Sequence, residues 1–333
     1  MFTFAGKLHI NNFSCIMANV IKIKKGLDIN LKGKASDVLL NGGKSESYAI
    51  VPDYYNGILP KVVAKVGEKV KAGSVLMIDK NRPEIKFVSP VSGEVTAVNR
   101  GEKRKVLSIV VKPDAQIEYE EFGKKNVASL QGAEVKEVLL NAGMWPFIKQ
   151  RPYDIVAAPL DTPRDIFVSA FYSAPLAPNF DFIVKGQEAD FQTGLNALAK
   201  LTNGKVYVGV RSGSVVSGMK GVEIVEVEGP HPAANVGVQI NHIKPVNKGE
   251  VVWTVNPADV IVIGRLFNKG VADFSRMVAI TGSETTERGY VKTISGCTIK
   301  SLVNGKVLGQ EHIRIISGNV LTGTKVNMDG YLG

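Results

Sequence analysis

A multidomain chain that mixes α+β and α/β modules is what this sequence predicts, on three observations. Glycine is abundant, at 34 residues, while aromatic residues make up only 7%; that composition suits turn-rich strands better than a helical bundle. The first third reads as short strands divided by turn residues, the middle as strands alternating with helices, and the remainder as a small mixed unit. A length of 333 residues accommodates two or three domains. The expected divisions are an N-terminal extension over 1–19, a β domain over 20–117, an α/β domain over 118–272 and a mixed module over 273–333.

The β domain carries a weak internal repeat. Val66-Gly67-Glu68-Lys69 precedes Val75-Leu76-Met77-Ile78, and Arg100-Gly101-Glu102-Lys103 precedes Val106-Leu107-Ser108-Ile109. Each half reads as strand, glycine turn and strand, so two halves can share one buried face as a flattened barrel. Ser89-Pro90-Val91-Ser92-Gly93 supplies the turn into the second half. Residues 59–111 resemble the biotinyl/lipoyl-carrier β barrel. Lys80, in Ile78-Asp79-Lys80-Asn81-Arg82-Pro83, falls near the place of a carrier lysine, but Pro83 and a longer loop depart from the carrier hairpin.

In the middle block Val135, Val138, Leu139 and Ala142 recur at helical spacing over 131–142, and Gly143 ends that helix. A second helix is expected over 187–200, from Phe191, Leu195, Leu198 and Ala199, and a third from Pro257 to about Phe267. Strands are expected over 165–171, 205–211, 221–227 and 251–255. This alternation predicts a Rossmann-like sheet with helices on its faces. The last block reads as strands over 276–281, 289–294 and 312–317 with a short helix over 297–304, which suits a β-grasp, SLBB-like module.

The search for chemistry excludes more than it finds. Two cysteines, Cys15 and Cys297, are too few for an iron–sulfur cluster or a cysteine-rich zinc site. The histidines are His9, His231, His242 and His312; His231 and His242 lie eleven apart with no carboxylate between them, so a metal centre is not expected. His231, in Gly229-Pro230-His231-Pro232, reads as a hydrogen-bonded turn residue or part of a partner surface. Gly213-Ser-Val-Val-Ser-Gly218-Met219-Lys220 misses the phosphate-binding loop because Met219 stands where lysine is needed. It leads into a strand, and a flexible hairpin loop is expected there. Gly42-Gly43-Lys44-Ser45 misses the same pattern because Val38 replaces a glycine. No glycine-rich dinucleotide cradle follows the first strand of the α/β block. No run approaches the length of about 18 apolar residues that spans a membrane. The net charge is +10, but lysine and arginine are dispersed; the densest run, Arg100-Gly-Glu-Lys-Arg-Lys105, reads as a solvated hairpin or a membrane-facing surface.

Several segments then fall in one order. They are Ile21-Lys-Ile-Lys-Lys-Gly-Leu-Asp28, Asp79-Lys80-Asn81 through Lys86-Phe87, Pro90-Val-Ser-Gly93, Asn99-Arg-Gly101, Gly143-Met-Trp145 with Arg151-Pro152, and Gly229-Pro-His-Pro-Ala233. Pro245-Val246, Asp259-Val260, Ile316-Ser-Gly-Asn-Val-Leu-Thr-Gly323 and Gly330-Tyr-Leu-Gly333 complete the series. Together, from Val20 to the end, they resemble the NqrA family, whose members are subunits of the sodium-translocating NADH:quinone oxidoreductase. Residues 1–16 precede the family's usual start, for which Met17 is the natural candidate, and the chain stops short of the helical C-terminal region that family members carry.

The resemblance implies a peripheral subunit on the cytoplasmic face of the bacterial inner membrane, in a complex that oxidises NADH, reduces quinone and exports sodium. It implies other subunits of that complex as partners and no cofactor in this chain, the flavins, iron–sulfur centres and sodium path lying elsewhere. The isolated chain is expected to be inactive. No catalytic, cofactor-binding or metal-binding residues are assigned. A quinone or partner surface is expected from Tyr54, Tyr55, Trp145, Arg151 and His231, because ring faces and hydrogen-bond donors suit a quinone head group. Two other classes compete: a carrier-type subunit modified at Lys80, which the hairpin disfavours, and a nucleic-acid-binding protein, for which no recognition motif is present.

Overall fold

The computed structural model describes residues 19–309 and 313–333. The expected extension up to residue 18, its Met17 start, His9, Cys15 and His312 lie outside the described residues.

A seven-stranded sheet organises the α/β module. Its order is Asn19–Lys22, Glu223–Glu228, Val206–Val210, Ile166–Ser169, Val252–Val255, Ile148–Arg151 and Ile155–Val156. The first five run parallel and the last two join antiparallel. Starting from Ile166–Ser169, successive strands wind one way to Glu223–Glu228, and the chain then returns to place Val252–Val255 on the other side. That reversal is the topological switch of a doubly wound sheet, consistent with the Rossmann-like expectation.

The helices follow from their signals. Helix α1 (Gly132–Asn141) starts where Glu134 accepts from the Gln131 N–H at 2.7 Å, and it buries Val135, Val138 and Leu139. Short α2 (Phe180–Val184) leads into α3 (Glu188–Ala199). Helix α5 (Pro257–Lys269) has Asn256 as N-cap, proline in its first turn and Gly270 in the left-handed conformation as C-cap. Helices α3 and α5 cross so closely that a Cβ on Gly264 would lie 1.7 Å from the Asp190 carbonyl oxygen. They cover the face of the sheet that presents Ile166 and Val168. Helix α4 (Val236–Ile243), unanticipated like α2, covers the opposite face through Ile240 against Phe167 and Val252. The central strand Ile166–Ser169 is therefore buried on both faces, as parallel strands require.

The β domain forms two antiparallel sheets. One contains Tyr48–Ile50, Val106–Pro113, Gly93–Arg100 and Lys69–Val70; the other contains Pro60–Val62, Val75–Asp79 and Lys86–Val88. The sequence repeat is only half realised. Gly93–Arg100 and Val106–Pro113 form a hairpin, whereas Lys69–Val70 pairs with the start of Gly93–Arg100 and leaves Val75–Asp79 to the other sheet. The third module pairs Ser275–Ile280 with Gly289–Ile294, adds α6 (Ile299–Val303) and ends in a hairpin of Ile315–Ser317 with Thr324–Val326.

Three expectations are corrected. Asn19, expected in the extension, and residues 20–22, expected in the β domain, belong to the α/β sheet, because their backbone pairs with Val225–Glu228 and Ile23 packs against Phe171, Val225 and Val227. Residues 37–47, also assigned to the β domain, run along the third module through Leu39 beside Tyr290 and Ser45 beside Thr298. The stretch 213–220 is not a hairpin. It joins two parallel strands, which no tight turn can do, and Val216 is buried within a 3-10 turn over Val215–Gly218.

Candidate functional site

Two aromatic loops that are distant in sequence meet between the modules. Pro52 opens the 3-10 turn Pro52–Tyr54, and the following Tyr55 meets Phe87 edge to face at 4.8 Å. After α1, Gly143 takes a left-handed φ of 67° hard against the Val88 side chain, and the chain turns through Trp145–Phe147. Phe147 meets Phe274 edge to face at 6.1 Å. Tyr54, Tyr55, Phe87, Pro146, Phe147 and Phe274 line a common cavity of about 170 Å³.

Three charged side chains from three elements share its wall. Lys149 comes from the strand Ile148–Arg151, Asp259 from the first turn of α5 and Arg276 from the strand Ser275–Ile280. The Arg276 Nη2 donates to Asp259 Oδ1 at 3.1 Å, and the buried Arg276 Nε has no acceptor among the described residues. The Lys149 ammonium stands 5.3 Å from the centre of the Tyr55 ring. Burial holds the Lys149 pKa below that of an ordinary lysine, with Asp259 and Asp154 opposing. Burial also pushes the Asp259 carboxyl up, against the pull of Arg276 and Lys149. The Tyr55 phenol is pushed up to about 12, again by burial. The arrangement can stack a ring and donate hydrogen bonds to its oxygens.

Of the five residues expected at a surface, only Tyr54 and Tyr55 reach this cavity. Trp145 is fully buried rather than exposed. Its indole turns into the sheet, meets Trp253 edge to face and donates to the Ala157 carbonyl at 2.9 Å; the loop's cavity face is left to Pro146 and Phe147. Arg151 pairs through its backbone with Val252, at the start of the strand Val252–Val255, while Ile148, at the cavity end, pairs with Val255. The Arg151 side chain lies 3.5 Å from Asp154. His231 sits beyond the C-terminal ends of the parallel strands. Its Nδ1 is 3.0 Å from Ser173 Oγ, and its backbone N–H donates to Asp28. Sequence reasoning missed Lys149, Asp259 and Arg276 as site residues, since nothing local links them.

A larger cleft of about 440 Å³ opens where the sheet reverses direction, lined by Asp28, Leu31, Tyr172, Leu176 and Arg211. Arg211 already donates to the Val227 and Gly229 carbonyls and lies over the Phe171 ring. The near phosphate-binding loop beside it forms a capped turn, with the Ser214 hydroxyl donating to Asp181 at 2.6 Å. Arg211 and Ser214 are thus spent on the protein; the smaller cavity, which brings aromatic rings and unspent cationic donors together, is the better candidate for a ring ligand.

Lys80 is exposed, but its turn is clamped. Asp79 accepts from the Leu59 and Asn81 N–H groups and from Arg82, while Arg82 reaches the carbonyls of Val156 and Gly57. A turn held against the α/β module cannot swing as a carrier tip must. Cys297 is buried, and burial raises its thiol pKa. Among the described residues, no group of three or more His, Cys, Asp or Glu side chains could hold a metal ion. Also among the described residues, no helix is long and apolar enough to cross a membrane.

Three domain families match in order: the NqrA N-terminal barrel-sandwich hybrid domain over 21–114, the NqrA second alpha/beta domain over 130–272 and the NQRA C-terminal domain over 277–328. The NqrA subunit of the Na(+)-translocating NADH-quinone reductase of Photorhabdus laumondii is 37% identical over 319 residues, covering 94% of this chain and 71% of that protein. The proteins of the same name from Hahella chejuensis and Neisseria meningitidis serogroup A are 38% and 36% identical, each over 91% of this chain and 69% of their own length. Among solved structures, an NAD+-reducing nickel–iron hydrogenase aligns at a TM-score of 0.37 and 10% identity, over 65% of this chain and 50% of that one. The three domain matches in order, with relatives of more than a third identity over nearly the whole chain, establish that this chain belongs to the NqrA family of Na(+)-translocating NADH-quinone reductase subunits.

Proposed function

We propose that the chain serves as a peripheral subunit of a membrane complex that oxidises NADH, reduces quinone and exports sodium. Its place is the cytoplasmic face of the membrane, against the other subunits. Hydride and electron transfer need a carrier that protein side chains do not supply; on this reading the flavins and iron–sulfur centres belong to other subunits. The relatives' shared name supports the complex and gives no support to a carrier at Lys80 or to nucleic-acid binding. Within that role, the cavity between the modules receives a quinone head group. One observation carries this: the Tyr54-Tyr55 and Pro146-Phe147 loops close around a single space with Lys149 and Arg276 in its wall. A cavity of about 150 Å³ holds one benzene ring, so the space here is of single-ring size.

Photolabelling of the assembled complex with a quinone analogue tests the site. Label on 53–58 or 146–149 is expected; label confined to other subunits would overturn the quinone assignment. A visible spectrum of the purified chain tests the rest. A colourless protein inert towards NADH and soluble quinone is expected, and a stoichiometric flavin band would refute that.

A further inference from the structure

Charge among the side chains of the cavity wall is unbalanced. Two cationic side chains, Lys149 and Arg276, face one carboxylate, Asp259. Arg276 spends Nη2 on Asp259 and leaves the buried Nε without an acceptor among the described residues. Among the described residues, no carboxylate oxygen lies within 4.0 Å of the Lys149 ammonium; what it faces is the Tyr55 ring. The next acidic group, Asp154, is already beside Arg151. Two of the hydroxyls there are committed: Tyr54 donates to the Tyr331 carbonyl at 2.9 Å and Ser295 to the Phe274 carbonyl at 3.3 Å.

Unspent donors beside apolar rings are costly unless something accepts from them. A neutral ring with carbonyl oxygens satisfies the hydrogen bonds but leaves the excess positive charge. A ring whose oxygen is deprotonated satisfies both, and in a partly desolvated cavity the charge term is larger than in water. From this we infer that Lys149 and Arg276 make the cavity selective for a ring ligand with an anionic oxygen, a hydroxyquinone or quinol anion, over its neutral counterpart.

The inference rests on reading the cavity as a ring site. The experiment compares two small probes on the full chain by calorimetry: dihydroxybenzoquinone, anionic at neutral pH, and dimethoxybenzoquinone, neutral with the same ring. The anion is expected to bind at least about tenfold more tightly. Lys149→Gln should weaken the anion's binding far more than the neutral probe's and so remove most of that preference, and Lys149→Arg should keep it. Arg276→Gln risks misfolding because it strands Asp259, so the Lys149 pair carries the test. Equal binding of the two probes, or a preference untouched in Lys149→Gln, overturns the selectivity while leaving the ring site standing. Binding of neither probe overturns both.

Discussion

Trp145 and Trp253 meet edge to face with ring centres 5.4 Å apart, yet only one indole N–H is bonded. Trp145 donates to Ala157, whereas the buried Nε1 of Trp253 has no acceptor among the described residues. Trp145→Phe strands the Ala157 carbonyl and is expected to cost about 2–3 kcal/mol. Trp253→Phe loses ring volume but also removes an unpaired donor, so it should cost at least about 1 kcal/mol less. Urea unfolding of the two variants side by side checks the order.

Arg82 joins the β domain to the α/β module through the Val156 carbonyl while neutralising Asp79, whose side chain is only 1% exposed. Arg82→Ala should destabilise by about 3 kcal/mol, because it leaves a buried carboxylate with backbone donors alone. Arg82→Lys should rescue little, since an ammonium cannot span the three acceptors that the guanidinium fork reaches. Thermal melts of both variants measure this, and an intact mass of the native chain should show Lys80 unmodified.

How much of this was legible depended on whether the signal was local. Helices α1 and α5 announced themselves, through apolar spacing ended by Gly143 in one case and Pro257 at the start of the other. Helix α4 is only eight residues long and holds Gly237 in its first turn, so its helical pattern is short and weakened. The ring-rich stretch around Trp145 was visible, but which ring faces the cavity depends on a turn that sends Trp145 inward to a strand a hundred residues on. Lys149, Asp259 and Arg276 converge only after the sheet, α5 and the third module have assembled; each alone reads as an ordinary charged residue.

Asp273 gives a pH prediction. Burial raises its pKa, but bonds from Ser275 and the charges of Arg265 and Lys269 outweigh that and hold it at about 2. Its pKa is lower folded than unfolded, where it is about 3.9. The group therefore stabilises the fold fully above about pH 4 and loses that contribution as pH falls toward 2. Melting temperatures of native protein and Asp273→Asn should differ at about pH 6 and converge at about pH 2.

The crossing of α3 and α5 leaves no room for a methyl group at Gly264. Gly264→Ala should cost about 2–3 kcal/mol despite alanine's better helix propensity, because backbone must move. Gly213→Ala, where a Cβ would meet nothing within 4 Å, supplies the contrast: only its φ of 77° is strained, so about 1 kcal/mol is expected. Chemical unfolding separates crowding from dihedral strain.

The edge strand Asn19–Lys22 pairs with Val225–Glu228, and everything between them must be made before the pair can close. On the ribosome the first strand emerges early and waits unpaired, with Ile23 exposed, while the whole β domain and four of its own sheet's strands follow. The β domain is thus an insertion within the α/β unit, and its two sheets can form during that delay. Cutting the chain at about residue 118 would separate not two domains but one strand from its sheet, so the α/β module expressed from that point should aggregate through the uncovered edge of Glu223–Glu228 unless residues 19–23 are supplied in trans.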